Sequence, residues 1–247
     1  RRDERPAKYN GVIMMSSKYT SRENNRGFNE TRHIEAKAGV IKKADGSAYF
    51  RSGKTTAYAA VYGPRELHPK HMQDPKTGIL RCNYNMMPFS TEERVRPGPS
   101  RRSKEISMVT EKALLPVLNL VEFPNAVVDV FIELTETDAG SRCAGICAAS
   151  IALADAGLVM KDMVAAVSCG VVDHQTMVDI DGPEEHLHDL DVADIPVAMI
   201  PSTEEITLLQ MDGKVSKDEL MKAIENVKPV LKNIAEIQRK AVKDRYK

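Results

Sequence analysis

The stretch DAGSRCAGICAASIALADAG, residues 138–157, sets a turn of Asp138, Ala139 and Gly140 against Ser141, Arg142 and a run of small apolar residues. A buried helix starting there leaves its first backbone N–H groups without intrahelical partners. The macrodipole favours an anion at that end, Gly140 admits a ligand close to the backbone, Ser141 offers a hydroxyl, and Arg142 carries a planar fork matched to phosphate oxygens. Free phosphate or a phosphodiester is the ligand this chemistry fits. A plain helix capped by Ser141, with Arg142 in solvent, would use the same residues, so other segments have to decide.

Two cationic segments point the same way. EERVRPGPSRRSKEIS, residues 92–107, crowds Arg94, Arg96, Arg101 and Arg102 into a Pro/Gly loop that leads into a helix from Ser103. Such arginines can grip a phosphate backbone without reading bases. YGPRELHPKHMQD, residues 62–74, puts Arg65, His68, Lys70 and His71 on a loop between strands. Nucleic-acid contact suits them better than a metal, since no cysteine lies near. The third segment, DIDGPEEHLHDLDVAD at 179–194, concentrates Asp179, Asp181, Glu184, Glu185, Asp189, Asp191 and Asp194. Carboxylates so dense can bind Mg²⁺ with retained waters, or hold one acid protonated by like-charge repulsion and so ready to donate to a leaving oxygen. Each segment alone also reads as a solvated charged loop. Together they are the parts of phosphodiester chemistry on RNA or DNA.

The elements that must position these groups follow from periodicity. Residues 1–29 are polar, lack sustained periodicity and read as a loosely ordered arm. Residues 33–64 give three strand-like pieces divided by ADGS and SGK turns, and GILRCNYNMMPF adds a fourth. Helical spacing covers 103–120 with Pro116 bending or ending it, and AVVDVFIEL is a strand that leads to the helix at 141. Four more strands follow (MVAAVSCGVV, QTMVDID, IPVAMI, EEITLLQMDG), then an amphipathic helix over 216–245 with a kink expected at Pro229. The class is α+β with mainly antiparallel sheet, in two halves, 30–161 and 162–247, after the arm.

Bulk composition excludes other classes. The 247 residues are 42% hydrophobic and 28% charged with a formal net charge of zero, so nucleic-acid binding must come from local patches. The four cysteines, Cys82, Cys143, Cys147 and Cys169, show no CxxC spacing and suit reduced core positions. Apolar runs stop short of a membrane span and no signal-peptide core is expected, so a cytoplasmic protein with no membrane partner is the expectation. No Walker loop is present.

The strings KADGSAYF, AAVYGPRELHPKH, LRCNYNMMPFS, RPGPSRRSKEIS, DVFIEL, DAGSRCAGICAASIALADAG, DIPVAMIP and ITLLQMDG closely resemble the RNase PH family, and within it the archaeal exosome's RNase PH-like subunits that carry a phosphorolytic site. The resemblance runs from about residue 30 onward, and the 138–157 motif is its most specific piece. It implies the RNase PH fold, two βαβα halves of the ribosomal protein S5 domain 2-like kind. It implies a heterohexameric ring, three copies alternating with three of a related silent partner, topped by RNA-binding cap proteins. The implied reaction is 3′ to 5′ phosphorolysis of single-stranded RNA: inorganic phosphate, as co-substrate, releases nucleoside 5′-diphosphates, and the reverse reaction tails RNA. Such an enzyme is grouped with nucleases and hydrolases and would be active with its partner subunit.

Carried onto this sequence, the resemblance gives Gly140, Ser141 and Arg142 the attacking phosphate and Arg101 and Arg102 the RNA 3′ end. It puts Arg65, His68 and Lys70 at the entrance of a central channel. The family's later catalytic aspartate matches Asp194, also the position for Mg²⁺, while the general acid falls to Asp189 or Glu185. Two departures are visible. Asn24, Asn25 and Arg26 stand where the family has an Asp-Gly-Arg turn, and His188 stands six residues before Asp194 where it has an aspartate. The altered acidic loop leaves a second reading, an RNA-binding structural subunit of the ring with a weak or silent site. A third is an autonomous tRNA-trimming homohexamer.

Overall fold

The computed structural model describes residues 19–22, 24–187 and 190–247, together with the backbone of a small antiparallel pair, β1 (Lys8–Tyr9) and β2 (Val12–Ile13). The first half carries a five-stranded sheet of β3 (Ile34–Ala38), β4 (Gly46–Ser52), β5 (Thr55–Glu66), β6 (Ile79–Met86) and β7 (Ala126–Glu136), in the order β3-β4-β5-β7-β6. All neighbours are antiparallel except β6 and β7. That parallel pair needs a crossover, which the chain makes through helix α1 (Arg101–Leu114). In β7, Val128, Val130, Ile132 and Leu134 point inward while Asp129, Phe131 and Glu133 face out, the period of two expected of a half-buried strand.

Helix α2 (Ser141–Asp155) lies at the centre, with thirteen of its fifteen residues buried. Its small side chains allow close backbone approach. Gly46 of β4 shows how close: a Cβ there would sit 2.3 Å from both the Ala152 carbonyl oxygen and the Ala156 nitrogen. The second half adds a four-stranded sheet, β11-β10-β8-β9, from β8 (Ala165–Val172), β9 (Gln175–Val178), β10 (Val192–Ile200) and β11 (Glu205–Leu209), with the single-turn α3 (Gly182–Glu185) between β9 and β10. β8 is buried along its whole length, as its near-continuous run of small and apolar residues, broken by Ser168, leads one to expect. Asp173 and His174 turn it into β9 with φ of 45° and 69°, positive at both central positions of a two-residue hairpin turn. Helix α4 (Lys217–Arg245) covers the sheet with Val227, Leu231, Ile234 and Ala235 and runs on through Pro229.

Two expectations need correction. Helix α1 begins at Arg101 rather than Ser103, because Ser100 and Ser103 form a reciprocal capping box that starts the helix earlier. The two arginines therefore stand on its first turn and not in the loop. The segment from Tyr19 is also not a loose arm. Tyr19 and Phe28 pack edge to face at 6.3 Å against Val172, Met177 and Ile180, and Arg22 is buried beside them. Asn25 takes φ of 58°, a left-handed turn position that asparagine tolerates better than most residues, so the Asn24-Asn25-Arg26 replacement keeps a tight turn. Among the described residues, no helix is long and apolar enough to cross a membrane.

Candidate active site

The mouth of α2 is built by a strained turn. Ala139 and Gly140 both lie in the left-handed region, at φ of 54° and 63°. For Ala139 that conformation is unfavourable and is held from outside. Thr55 Oγ1 donates to the Ala139 carbonyl at 2.8 Å and accepts from the Asp138 N–H at 2.8 Å, and Arg32 donates to the Asp138 carbonyl. Gly140 is the N-cap, and no side chain caps the helix. The capped-helix alternative, with Ser141 as cap, is therefore wrong: Ser141 is the first helical residue, buried, and the first-turn N–H groups have no capping side chain.

Facing this mouth is a cavity of about 270 Å³ lined by Ser141, Arg142, Arg102, Glu185, Asp194 and Gln210, among others. Four elements, α1, α2, α3 and β10, and the segment after β11 converge there. Arg142 projects from α2 and donates to Gln210 Oε1, just after β11, and Gln210 Nε2 donates to Glu105 of α1 at 3.1 Å. Asp194 is on β10, where its backbone exchanges two 2.9 Å hydrogen bonds with Asp212 and its carboxylate accepts from the Ser168 hydroxyl of β8. Glu185 ends α3 at the rim.

The electrostatics raise the proton affinity of two carboxyls in this cavity. Burial pushes the Asp194 carboxyl above its ordinary 3.8; Ser168 and Arg142 pull against this, and Asp212 adds to it. Glu185 is likewise raised from 4.5, first by desolvation and then by the charge of Asp194, with His186, Arg102 and Arg142 opposing. Two carboxyls raised chiefly by burial, with the charge of Asp194 adding to the rise of Glu185, can hold a proton and an anion in one cavity beside two guanidiniums.

A second, larger cavity of about 840 Å³ adjoins it through Ser141, Arg102 and Glu185, and carries Arg94, Arg96, Tyr84, Asn85 and His186 on its walls. Of the predicted arginine pair, Arg102 reaches both cavities; Arg101 is exposed and lines neither. Arg65, His68 and Lys70 lie elsewhere. Thr55 at one end of β5 touches the α2 turn, and Arg65 is near the other end, about 30 Å away at roughly 3.3 Å per residue. There Arg65 pairs with Asp45 at 3.1 Å and stacks over Tyr62, while His68 and Lys70 each lie 3.8 Å from Glu66, all on the surface. Asp189 and His188 lie outside the described residues. Ser168 and Tyr84 were not singled out from sequence, because within buried strands they look like any other core position, and Gln210 and Asp212 were not, because after the exposed edge strand β11 they look like ordinary surface polar residues. All four cysteines are free and buried, with burial pushing the Cys147 and Cys169 thiols up to about 12.

A two-sheet α+β fold with an uncapped helix mouth, arginines and a raised carboxyl pair around one cavity defines a phosphodiester-handling enzyme, and comparison with known proteins identifies the class. Residues 30–159 match the model of 3′ exoribonuclease family domain 1, and residues 162–226 match domain 2. The chain belongs to this family, the RNase PH group of phosphorolytic 3′–5′ exoribonucleases. Because phosphate and not water is the attacking group, the class is nucleotidyl transfer, and the expected hydrolase grouping is corrected. Among its relatives, exosome complex component Rrp41 of Thermococcus gammatolerans is 52% identical over 217 residues, covering 88% of this chain and 86% of that one. Rrp41 of Cenarchaeum symbiosum is 46% identical over 221 residues, 90% of each. The crystal structure of rice (Oryza sativa) Rrp46 superimposes with a TM-score of 0.80 at 22% identity, covering 90% of this chain and 100% of that one, which establishes the RNase PH fold.

Proposed function

We propose that the chain is the phosphorolytic exosome subunit of its organism, degrading single-stranded RNA from the 3′ end in a ring with RNase PH-like partners. The observation that carries this reading is the meeting of Ser141, Arg142, Arg102, Glu185 and Asp194 around one cavity at an uncapped helix mouth. Gly140, Ser141 and Arg142 hold inorganic phosphate, and Arg102, with Arg94 and Arg96 beside it, holds the phosphates of the RNA 3′ end. A phosphate oxygen attacks the last phosphodiester, the bond from phosphorus to the preceding ribose O3′ breaks, and the proton that O3′ needs comes from the carboxyl pair. The product is a nucleoside 5′-diphosphate. Asp194 is the assigned catalytic carboxyl and Glu185, of the two earlier candidates the one within the described residues, is its partner. Catalysis is mostly positioning and charge neutralisation.

Among the described residues no group of three His, Cys, Asp or Glu side chains is arranged to hold a metal. Mg²⁺ still fits, since it takes one or two carboxylates and completes its shell with water and phosphate oxygens, and Asp194 would be its protein ligand. Bound there it would neutralise phosphate charge. The ring has three copies of each subunit with cap proteins above, Arg65, His68 and Lys70 line the channel entrance, and the assembly is cytoplasmic. The two halves, 30–161 and 162–247, form one working unit, since the site draws on both.

The test is degradation of a single-stranded RNA by the chain reconstituted with its RNase PH-like partner, with and without phosphate. Phosphate-dependent release of nucleoside diphosphates is expected. RNA binding by an assembled ring without turnover would instead establish the silent structural subunit.

A further inference from the structure

The segment Tyr19–Arg32 meets the acidic stretch around α3 through ion pairs that no catalytic step above uses. Arg22, 2% exposed, holds Glu184, 1% exposed, in a fork: Nε to Oε1 and Nη2 to Oε2, both at 2.6 Å. Its other N–H groups donate to the carbonyls of Val178 at 2.8 Å and Asp179 at 2.7 Å, and the Tyr19 hydroxyl donates to Glu184 at 3.2 Å. Outside this core, Arg26 donates to Asp181 at 3.0 Å and Asn24 donates to the same carboxylate at 2.5 Å. Arg32 donates to both oxygens of Asp179, at 3.0 and 2.7 Å, and to the carbonyl of Asp138. Asp138 in turn accepts from the Gly182 N–H at 3.0 Å, at the start of α3.

A buried ion pair is a poor device for stability alone, because apolar residues of the same volume often serve as well. What this one supplies is a fixed geometry. Glu184 closes the capping box of α3 with Asp181, and Glu185 is the next residue. Asp138 belongs to the turn that presents the phosphate mouth. None of Arg22, Asn24 or Arg26 lines either cavity, so any influence on the reaction is indirect, through α3 or through Asp179 and Arg32 to the turn at Asp138.

We propose that Arg22 is a positioning residue for the reaction: its fork on Glu184 locks α3 so that Glu185 faces Asp194, and Arg32 with Asp138 ties that acidic wall to the phosphate turn. This rests on Asp194 and Glu185 as the carboxyl pair. Lysine at position 22 would keep the charge and lose the fork.

The experiment compares Arg22→Lys, Arg26→Gln, Asp194→Asn and Glu185→Gln in the reconstituted ring, reading kcat, the KM for phosphate and RNA affinity. Arg22→Lys is expected to lower kcat by about 10- to 100-fold, the scale of a catalytic group displaced by an ångström, and to leave the KM for phosphate and the RNA affinity unchanged. Arg26→Gln should do the same more weakly, and decides the matter if Arg22→Lys fails to enter the ring. An assembled variant with kcat unchanged, or with kcat and RNA affinity lost together, while Asp194→Asn is inactive, overturns the proposal. Full activity in both Asp194→Asn and Glu185→Gln overturns the underlying assignment instead.

Discussion

Truncating Arg142 tests the helix mouth most directly. Its guanidinium lies half-buried in the smaller cavity, restrained by Gln210, which is in turn held by Glu105. In Arg142→Ala the bound phosphate loses a charge-assisted hydrogen bond of about 1.5–3 kcal/mol. At 1.4 kcal/mol per decade that is a rise of about 10- to 150-fold in KM for phosphate. The fold loses little, since the side chain fills no core space and Gln210 still bonds Glu105. The same change has a second signature. Arg142 opposes the upward displacement of both Asp194 and Glu185, so its removal raises their proton affinity further and moves the basic limb of activity to higher pH. The assay is release of nucleoside diphosphate from a fixed RNA by the reconstituted ring over a phosphate titration at several pH values. A KM for phosphate unchanged within twofold, with the ring intact, would refute the assignment of the mouth to the attacking phosphate.

Three further outcomes are expected. Asp194→Asn abolishes phosphorolysis yet stabilises the protein near neutrality: the folded state raises this carboxyl, so ionising it carries a penalty that sets in as pH climbs from 3.8 through the folded value. The Tm difference should vanish in acid and open above it, by about 2–4 °C for each kcal/mol relieved. Arg102→Ala should flatten the salt dependence of RNA binding by roughly 0.7 in log–log slope, the value for one single-strand phosphate contact, whereas Arg101→Ala, outside both cavities, should change it much less; equal slopes would restore the pair. Gly46→Ala should destabilise by about 3 kcal/mol or more in denaturant titration, because the new methyl meets the backbone of α2 and not a movable side chain; a normal midpoint would contradict the described packing.

The α2 mouth was legible in the sequence because its signal is local: a glycine turn, a serine, an arginine and a run of small residues are contiguous. The alternating strands and the amphipathic α4 were legible for the same reason. Ser168, Gln210 and Asp212 were not, since their roles arise only when β8, β10 and the end of β11 come side by side. Arg22 was hidden for a different reason. In a polar stretch without periodicity an arginine reads as solvated, and only the fold reveals the buried glutamate 162 positions away that it meets. The start of α1 was displaced by two residues because Ser100 and Ser103 cap each other, a pairing weaker in sequence than a Ser/Glu box.

The buried cysteines give the molecule a set of internal reporters. Cys143 and Cys147 sit on α2 within the first two turns behind the phosphate mouth, at 4% and 0% exposure, with Cys169 on the neighbouring β8 at 0%. Thiols sealed this way and held protonated react with an alkylating reagent only when the surrounding structure opens. Their alkylation rate therefore measures how often the central helix is released. A ligand that binds only the closed mouth must slow that rate by the factor 1 + [L]/Kd. On the proposed assignment of the mouth to phosphate, the unmodified chain reports phosphate occupancy there, with no RNA present and no turnover required.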